Sequence, residues 1–409
     1  MTDMHLSLKL FIIFSAILCA VSVMGQGRGG NQPGKSSEIY FEADQGETTL
    51  SDSTVIKRYI GHVRAWSADT ELRADEALYN SSLGETRLYG HTSLKDSIRT
   101  LNADTILYYN QRREAFAIGN VKVTEKDRTL SAHEIWYRKN DRLLIGTGGV
   151  TVKDDSLRSS ITGMKMVYSD STRNGLVIGM PSLVREDEKG SIITITASDT
   201  LEALKEKRTA RLWNTVTVKK DSMTARAEKG IYEDSGEKIT LLGKPVIQHI
   251  MHGTSDDDKA PIRITNEVTG DSMYIYLKNR GLSSAVVIGS AVTTTVAVDS
   301  TTGALSYRSV LESRNLRLGI DGERISEVIA EGNADSYYMQ NATKKDKNML
   351  VNIARGDTIR FFFTEGRIST MRITGIGGGD AVGKYYKFSP APKDTVKNEN
   401  KEKQKKRAR

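Results

Sequence analysis

The stretch Leu101–Val123 reads LNADTILYYNQRREAFAIGNVKV. It holds an Ala-Asp pair, a tyrosine five positions after the alanine, a charged turn, and a closing Ile-Gly-x-Val-x-Val. Nearly the same sentence precedes it as LRADEALYNSSLGETRLYGHTSL from Leu72, and follows it as LSAHEIWYRKNDRLLIGTGGVTV from Leu130. The tyrosines Tyr79, Tyr108, Tyr137 and Tyr168 stand 29, 29 and 31 residues apart. Tyr232 belongs to the same series, beyond a degenerate unit at 197–202. The glycines of the second half are Gly90, Gly119, Gly148, Gly179, Gly243, Gly289, Gly332 and Gly375, and their last three steps are 46, 43 and 43. Self-similarity at a held frame marks a repeat architecture, here of about nine units between roughly residues 50 and 385.

Each unit has two arms joined by a polar turn such as NSSLGE, NQRRE, RKNDR or EDSGEK. Asn, Asp and Gly at such points supply positive φ and local side-chain hydrogen bonds. Arms of this length with turns at both ends are hairpins in series. Period-2 alternation changes phase inside an arm. Leu72 and Ala74 share a face while Ala77 and Tyr79 have the opposite parity, and Phe116 and Ile118 read as one face with Val121 and Val123 on the other. A one-residue slip is a bulge or corner, and the glycine of the second arm is the natural place for it. Pro181 and Pro245 sit two residues after that glycine, where the lack of an N–H demands a break in pairing. The expected fold is all-β: an elongated, open, V-shaped β-jellyroll of repeated bent hairpins. Two turns per unit disfavour a parallel β-helix.

Composition agrees. Of 409 residues 35 are Gly and only 6 are Pro, and the chain is rich in Val, Ile, Thr and Tyr, residues that suit strands and turns. The N-terminus reads as a signal peptide over 1–25, with Lys9 before an apolar run from Leu10 to Met24 that is short for a membrane span. An uncleaved anchor in the inner membrane is the alternative. Cys19, the only cysteine, follows Leu18 rather than the small residue a lipidation site needs, and its removal with the signal leaves stability to the fold rather than to disulfides. The expected organisation continues with a lead-in over 26–48, repeats over 49–250, longer divergent repeats over 251–388 and a basic tail over 389–409. The formal charge of +8 is concentrated in that tail. The body lacks the basic stripe of a nucleic-acid binder.

Asp221–Ile247, DSMTARAEKGIYEDSGEKITLLGKPVI, resembles the repeat of OstA-like proteins of the LptA type, the periplasmic proteins of lipopolysaccharide export. The units over 69–123 match the same pattern. The resemblance implies a twisted open jellyroll without catalysis, cofactor or metal. It implies that lipid A acyl chains of lipopolysaccharide lie in an apolar groove. It also implies contacts with other export proteins through edge strands, and end-to-end self-association. The groove candidates are Leu72, Leu88, Leu101, Tyr108, Phe116, Ile118, Val121, Val123, Ile145, Val150 and Val152, with the positions flanking the corner glycine favoured. This chain is about twice the usual length of such a bridge, and its last units keep only the glycine.

Sharper signals weigh less. Asp75, Asp104 and Glu228 recur at a fixed step, as a ladder and not as one converged carboxylate pair. His249 and His252 followed by Asp256, Asp257 and Asp258 have metal-ligand types, but fall in an insert between units. GIGGGDAVG lacks the strand–helix context of a dinucleotide fingerprint. Asp-Ser/Thr followed by an aliphatic residue, as at Asp155-Ser156-Leu157, resembles an O-glycosylation sequence and is also a plain turn entering a strand. Two rival functions stand beside transport: a β-solenoid polysaccharide binder or hydrolase, marked by a converged acidic or aromatic cluster, and a structural envelope scaffold, marked by a closed interior.

Overall fold

The computed structural model describes residues 40–388, apart from short segments at 52–53, 68–69, 96–98, 110–111, 113, 139, 157, 170, 187–189, 205, 234–235, 256–259, 279–280, 322–323, 343–346, 365–366 and 376–381. The expected signal peptide, most of the lead-in, the basic tail, Cys19, Asp256–Asp258 and most of GIGGGDAVG lie outside the described residues. Among the described residues every regular element is a strand. Twenty-six of them form one antiparallel hydrogen-bonded system, in which partners lie at most three elements apart in the chain.

Two faces arise because the hairpin arms bend. Thr70–Asn80, Glu85–Lys95, Thr100–Tyr109, Glu114–Glu125, Arg128–Arg138 and Leu143–Asp154 run unbroken through a corner. Where proline follows the corner the strand ends, and the limbs take different partners. Gly179-Met180-Pro181 separates Asn174–Ile178, which pairs with Thr200–Leu204, from Ser182–Glu186, which pairs with Ile192–Thr196. Pro245 likewise divides Lys238–Leu242, paired with Ser272–Lys278, from Val246–Thr254, paired with Pro261–Thr269. In the Gly arms the limbs before the corner belong to one sheet and the limbs after it to a second; in the antiparallel arms between them the order is reversed, and the two sheets join along a ridge of corners. At about 4.8 Å per strand the stack is on the order of 90 Å long. Strand Val246–Thr254 carries it without interruption across the expected division at residue 250.

The corners have a common construction. Gly61, Gly90, Gly119, Gly148, Gly179, Gly243, Gly289 and Gly332 all have φ between 68° and 83°. In most units the next residue is left-handed too, as at Asn120 (φ 48°) and Ser290 (φ 46°). In the degenerate unit Asn214 (φ 63°) takes the slot, a residue type that tolerates it. At Gly61, Gly90, Gly119, Gly243 and Gly289 an acid faces the corner from the preceding arm (Asp44, Asp75, Asp104, Glu228 and Asp271), whereas Gly148, Gly179 and Gly332 face His133, Met164 and Arg314. A Cβ on Gly119 would stand 2.2 Å from Asp104 Oδ2, and one on Gly90 2.2 Å from Asp75 Oδ2. The carboxylate then meets the residue after the glycine: Asn120 Nδ2 donates to Asp104 at 3.0 Å, and His91 Nδ1 lies 2.9 Å from Asp75; in the degenerate unit the slot residue itself, Asn214, donates through Nδ2 to Asp199 at 3.2 Å. The acidic ladder is corner architecture.

The register shift falls at the glycine as expected, but the change of inward parity does not. Pairing does shift by one residue at every corner, for example between Ile118 and Val121 against Glu134 and Ala132. But Ala115, Ala117, Val121 and Val123 are all buried, so the Gly arm keeps one parity through the corner. The parity changes in the other arm, from Leu72 and Ala74 to Ala77, at the Ala-Asp pair. Two consecutive left-handed residues turn the Gly arm without changing which side chains face inward. The extra residue of the register shift sits in the Gly arm, where Gly119 and Asn120 oppose the single residue His133, and the acid arm answers with the change of parity. Between the sheets lies a single apolar cluster from Val63 to Ile359, with Leu88, Ile106, Leu130 and Leu241 fully buried.

Candidate functional site

The space between the sheets is closed on one side by the corners and bounded on the other by two lips where the arms end. The repeated tyrosines build the first lip. Tyr79, Tyr108, Tyr137 and Tyr168 share one cross-strand row on the inward face, alternating with Thr86, Ala115 and Leu144. Tyr232 holds the same position further along. Deeper rows are aliphatic. Leu72, Leu94, Leu101, Val123, Leu130, Val152 and Ile161 are successive cross-strand neighbours across the second sheet.

The second lip is charged, which the sequence reading missed. Two residues out from Val123 and Val152 lie Glu125 and Asp154. Glu125 accepts from Arg99 Nε at 3.0 Å, and Asp154, wholly buried, accepts from Arg128 Nε at 2.7 Å and from Ser156 Oγ at 2.6 Å. The signal was present in VTEKDR and VKDDS, where an acid at the arm's end is followed across the turn by a base or hydroxyl.

Of the eleven groove candidates, Leu72, Leu88, Val121, Val123, Val150 and Val152 are buried inside. Leu101 is half-buried against the core and Tyr108 half-buried on the lip. Phe116, Ile118 and Ile145 are corrected: they stand on the opposite face. Phe116 and Ile145 belong to an outer row, Leu78, Leu107, Phe116, Trp136, Ile145, Val167 and Leu176, broken only by Arg87. Both faces of this sheet are apolar here, so hydrophobicity alone could not tell inside from outside.

Among the described residues, no group of three or more His, Cys, Asp or Glu is arranged to hold a metal. His249 pairs across strands with Met223 and Asn266, and burial holds its pKa below the usual 6.5. His62, at a corner 2.7 Å from Asp44, is the opposite case: hydrogen bonding to that carboxylate raises its pKa. The stabilisation that His62 contributes is therefore fully present below pH 6.5 and is lost as pH rises through its folded midpoint. That of His249 is lost as pH falls. Imidazole titration by NMR is expected to give a midpoint above 6.5 for His62 and below it for His249, with Asp44→Asn bringing His62 back toward 6.5.

Residues 113–281 match the family model described as LptA/(LptD N-terminal domain) LPS transport protein. This segment is OstA-like. It holds the corners from Gly119 to Gly243, the two corner prolines Pro181 and Pro245, and the Arg128–Asp154 lip. Among solved structures, the chain is similar to the crystal structure of LptH from Pseudomonas aeruginosa, titled the LptA homologous periplasmic component of the conserved lipopolysaccharide transport device. Identity is 13%, covering 33% of this chain and 76% of that one, with a TM-score of 0.18. No curated protein matches the chain. The bent-hairpin frame of the OstA-like segment continues in the same two sheets on either side of it, from Gly61 to Gly332.

Proposed function

We propose that this chain is a periplasmic, non-enzymatic lipopolysaccharide-transport protein that shields lipid A acyl chains between its two sheets. The observation that carries the reading is the inward apolar lining, continuous along the stack and rimmed by tyrosines on one lip and ion pairs on the other. An amphiphile fits that section: acyl chains among the aliphatic rows, stabilised by about 25 cal/mol per Å² of surface removed from water, and a polar head between the lips. The ends of the stack support a bridging role. Strand Val382–Phe388 is exposed along its length and presents Tyr385, Tyr386 and Phe388, and Gln45–Ser51 forms an edge at the other end. Unpaired edges are templates for another strand, whether from a partner export protein or a second copy.

The test is site-specific photo-crosslinking in cells that make lipopolysaccharide. Leu101 and Val121 face inward, Phe116 and Ile118 outward. A lipopolysaccharide adduct is expected at the first pair and none at the second. Adducts only at the outward pair would place lipid on the wrong face for this reading. The scaffold alternative is favoured by the tight packing of Leu88, Ile106 and Leu130, each 0% exposed. No adduct at any of the four positions, with the protein folded and exported, would select it.

A further inference from the structure

Among the described residues of the charged lip, Arg185 lacks the acid that its neighbours have. Arg99 is matched by Glu125, Arg128 by Asp154 and Arg158 by Glu186. Arg185 follows Asp154 and Ser159 in the same cross-strand row, and it forms no ion pair with a carboxylate of the described residues. Its side chain reaches across the opening to the other sheet, where Nη1 donates to Tyr232 Oη at 3.1 Å. Its Nε is buried with no hydrogen-bond partner among the described residues, and so is the hydroxyl of its cross-strand neighbour Ser159. Arg185 and Tyr232 line a void of about 30 Å³ between the sheets, walled by Leu183, Ile193, Ile195 and Leu277. Glu237 also borders the void but makes no ion pair with Arg185.

A buried guanidinium N–H and a buried hydroxyl without acceptors are costly to leave so. Guanidinium matches the fork geometry of phosphate and carboxylate oxygens. We infer that Arg185 and Ser159 form an oxyanion site at the opening between the sheets, which takes a phosphate of a lipid headgroup while the acyl chains pass inward over Leu183 and Ile195. Tyr232 is the positioning residue that holds the guanidinium across the gap. A phosphate is larger than the void, so binding displaces the Arg185–Tyr232 contact and parts the lips at this point. The inference rests on the transport reading for its lipid, but not for its anion chemistry.

The experiment uses the exported chain, its Arg185→Gln, Arg185→Lys and Ser159→Ala variants, and three probes: lipopolysaccharide, the same lipopolysaccharide with its lipid A phosphates removed, and inorganic phosphate. Far-UV circular dichroism checks that each variant is folded. The wild type is expected to bind the phosphorylated lipid about tenfold more tightly than the dephosphorylated one. Arg185→Gln should abolish that difference, Ser159→Ala should reduce it, and Arg185→Lys should keep part of it. Equal preference in wild type and Arg185→Gln, with lipid still bound, would overturn the site and leave the transport reading intact. Arg185-dependent binding of inorganic phosphate with no lipid bound would keep the oxyanion site, assign it to a soluble anion and sink the transport reading. Binding of neither probe would overturn both.

Discussion

Gly119→Ala is expected to destabilise the protein by about 3 kcal/mol, from left-handed backbone strain plus a clash. The glycine has φ +76°, and an added Cβ would meet Asp104 at Oδ2 (2.2 Å), Cγ (2.8 Å) and Cβ (2.9 Å). Asp104 cannot easily retreat, because its carboxylate is held by Asn120. Gly149→Ala separates the two contributions. Gly149 has φ +87° but nothing within 4 Å of the added atom, so only the backbone strain of about 1 kcal/mol remains. Denaturant unfolding of the two variants beside wild type is the measurement. Asp104→Gly placed in the Gly119→Ala background should restore much of the loss. Equal destabilisation by the two alanines would mean that the acid does not brace the corner.

The second large effect is expected at the charged lip. Asp154 is fully buried and Arg128 only 16% exposed, so Asp154→Ala strands a guanidinium away from water. The expected cost is about 3–5 kcal/mol. Replacing both partners, Arg128→Met with Asp154→Leu, should return stability close to wild type, because the desolvation of both charges is then avoided. The same pair of measurements on the exposed Arg58–Glu76 contact should show a change of about 1 kcal/mol or less. A double variant as unstable as Asp154→Ala alone would show that this lip depends on its charges for more than pairing.

The architecture was legible because a repeat multiplies weak signals. No single Gly-x-Val-x-Val specifies a corner, but the return of its glycine in a held frame, 29 residues apart at first and 46 and 43 later, placed the glycines of seven left-handed corners. Pro181 and Pro245 were legible for a simpler reason, since neither can donate to a ladder. Two corners escaped notice. Gly61 lies before the first complete repeat, and at Asn214 asparagine replaces the glycine. The facing of the lining was harder. At Leu107, Phe116, Trp136 and Ile145 the outer surface is as apolar as the inner, so alternation carries no contrast there. The Ala-Asp arm changes parity while the Gly arm does not, and only cross-strand pairing separates the two cases. Arg185 and Ser159 were invisible in one dimension, because each is ordinary alone and their common row spans two hairpins.

The corner also decouples two lengths. Because the left-handed pair and its bracing acid act locally, residues added at the arm tips leave the register at the ridge untouched. Glu85–Lys95 has 11 residues, whereas Gly281–Asp299 has 19 and the two strands after it 17 each. Beyond the corner, Ala291–Asp299 outreaches Thr92–Lys95 by roughly 16 Å at about 3.3 Å per residue. The molecule is in effect a gutter of constant hinge and variable wall height, shallow over its first units and deep over its last. Cargo of uneven girth could be matched along it by tip insertions alone, without redesigning a single corner.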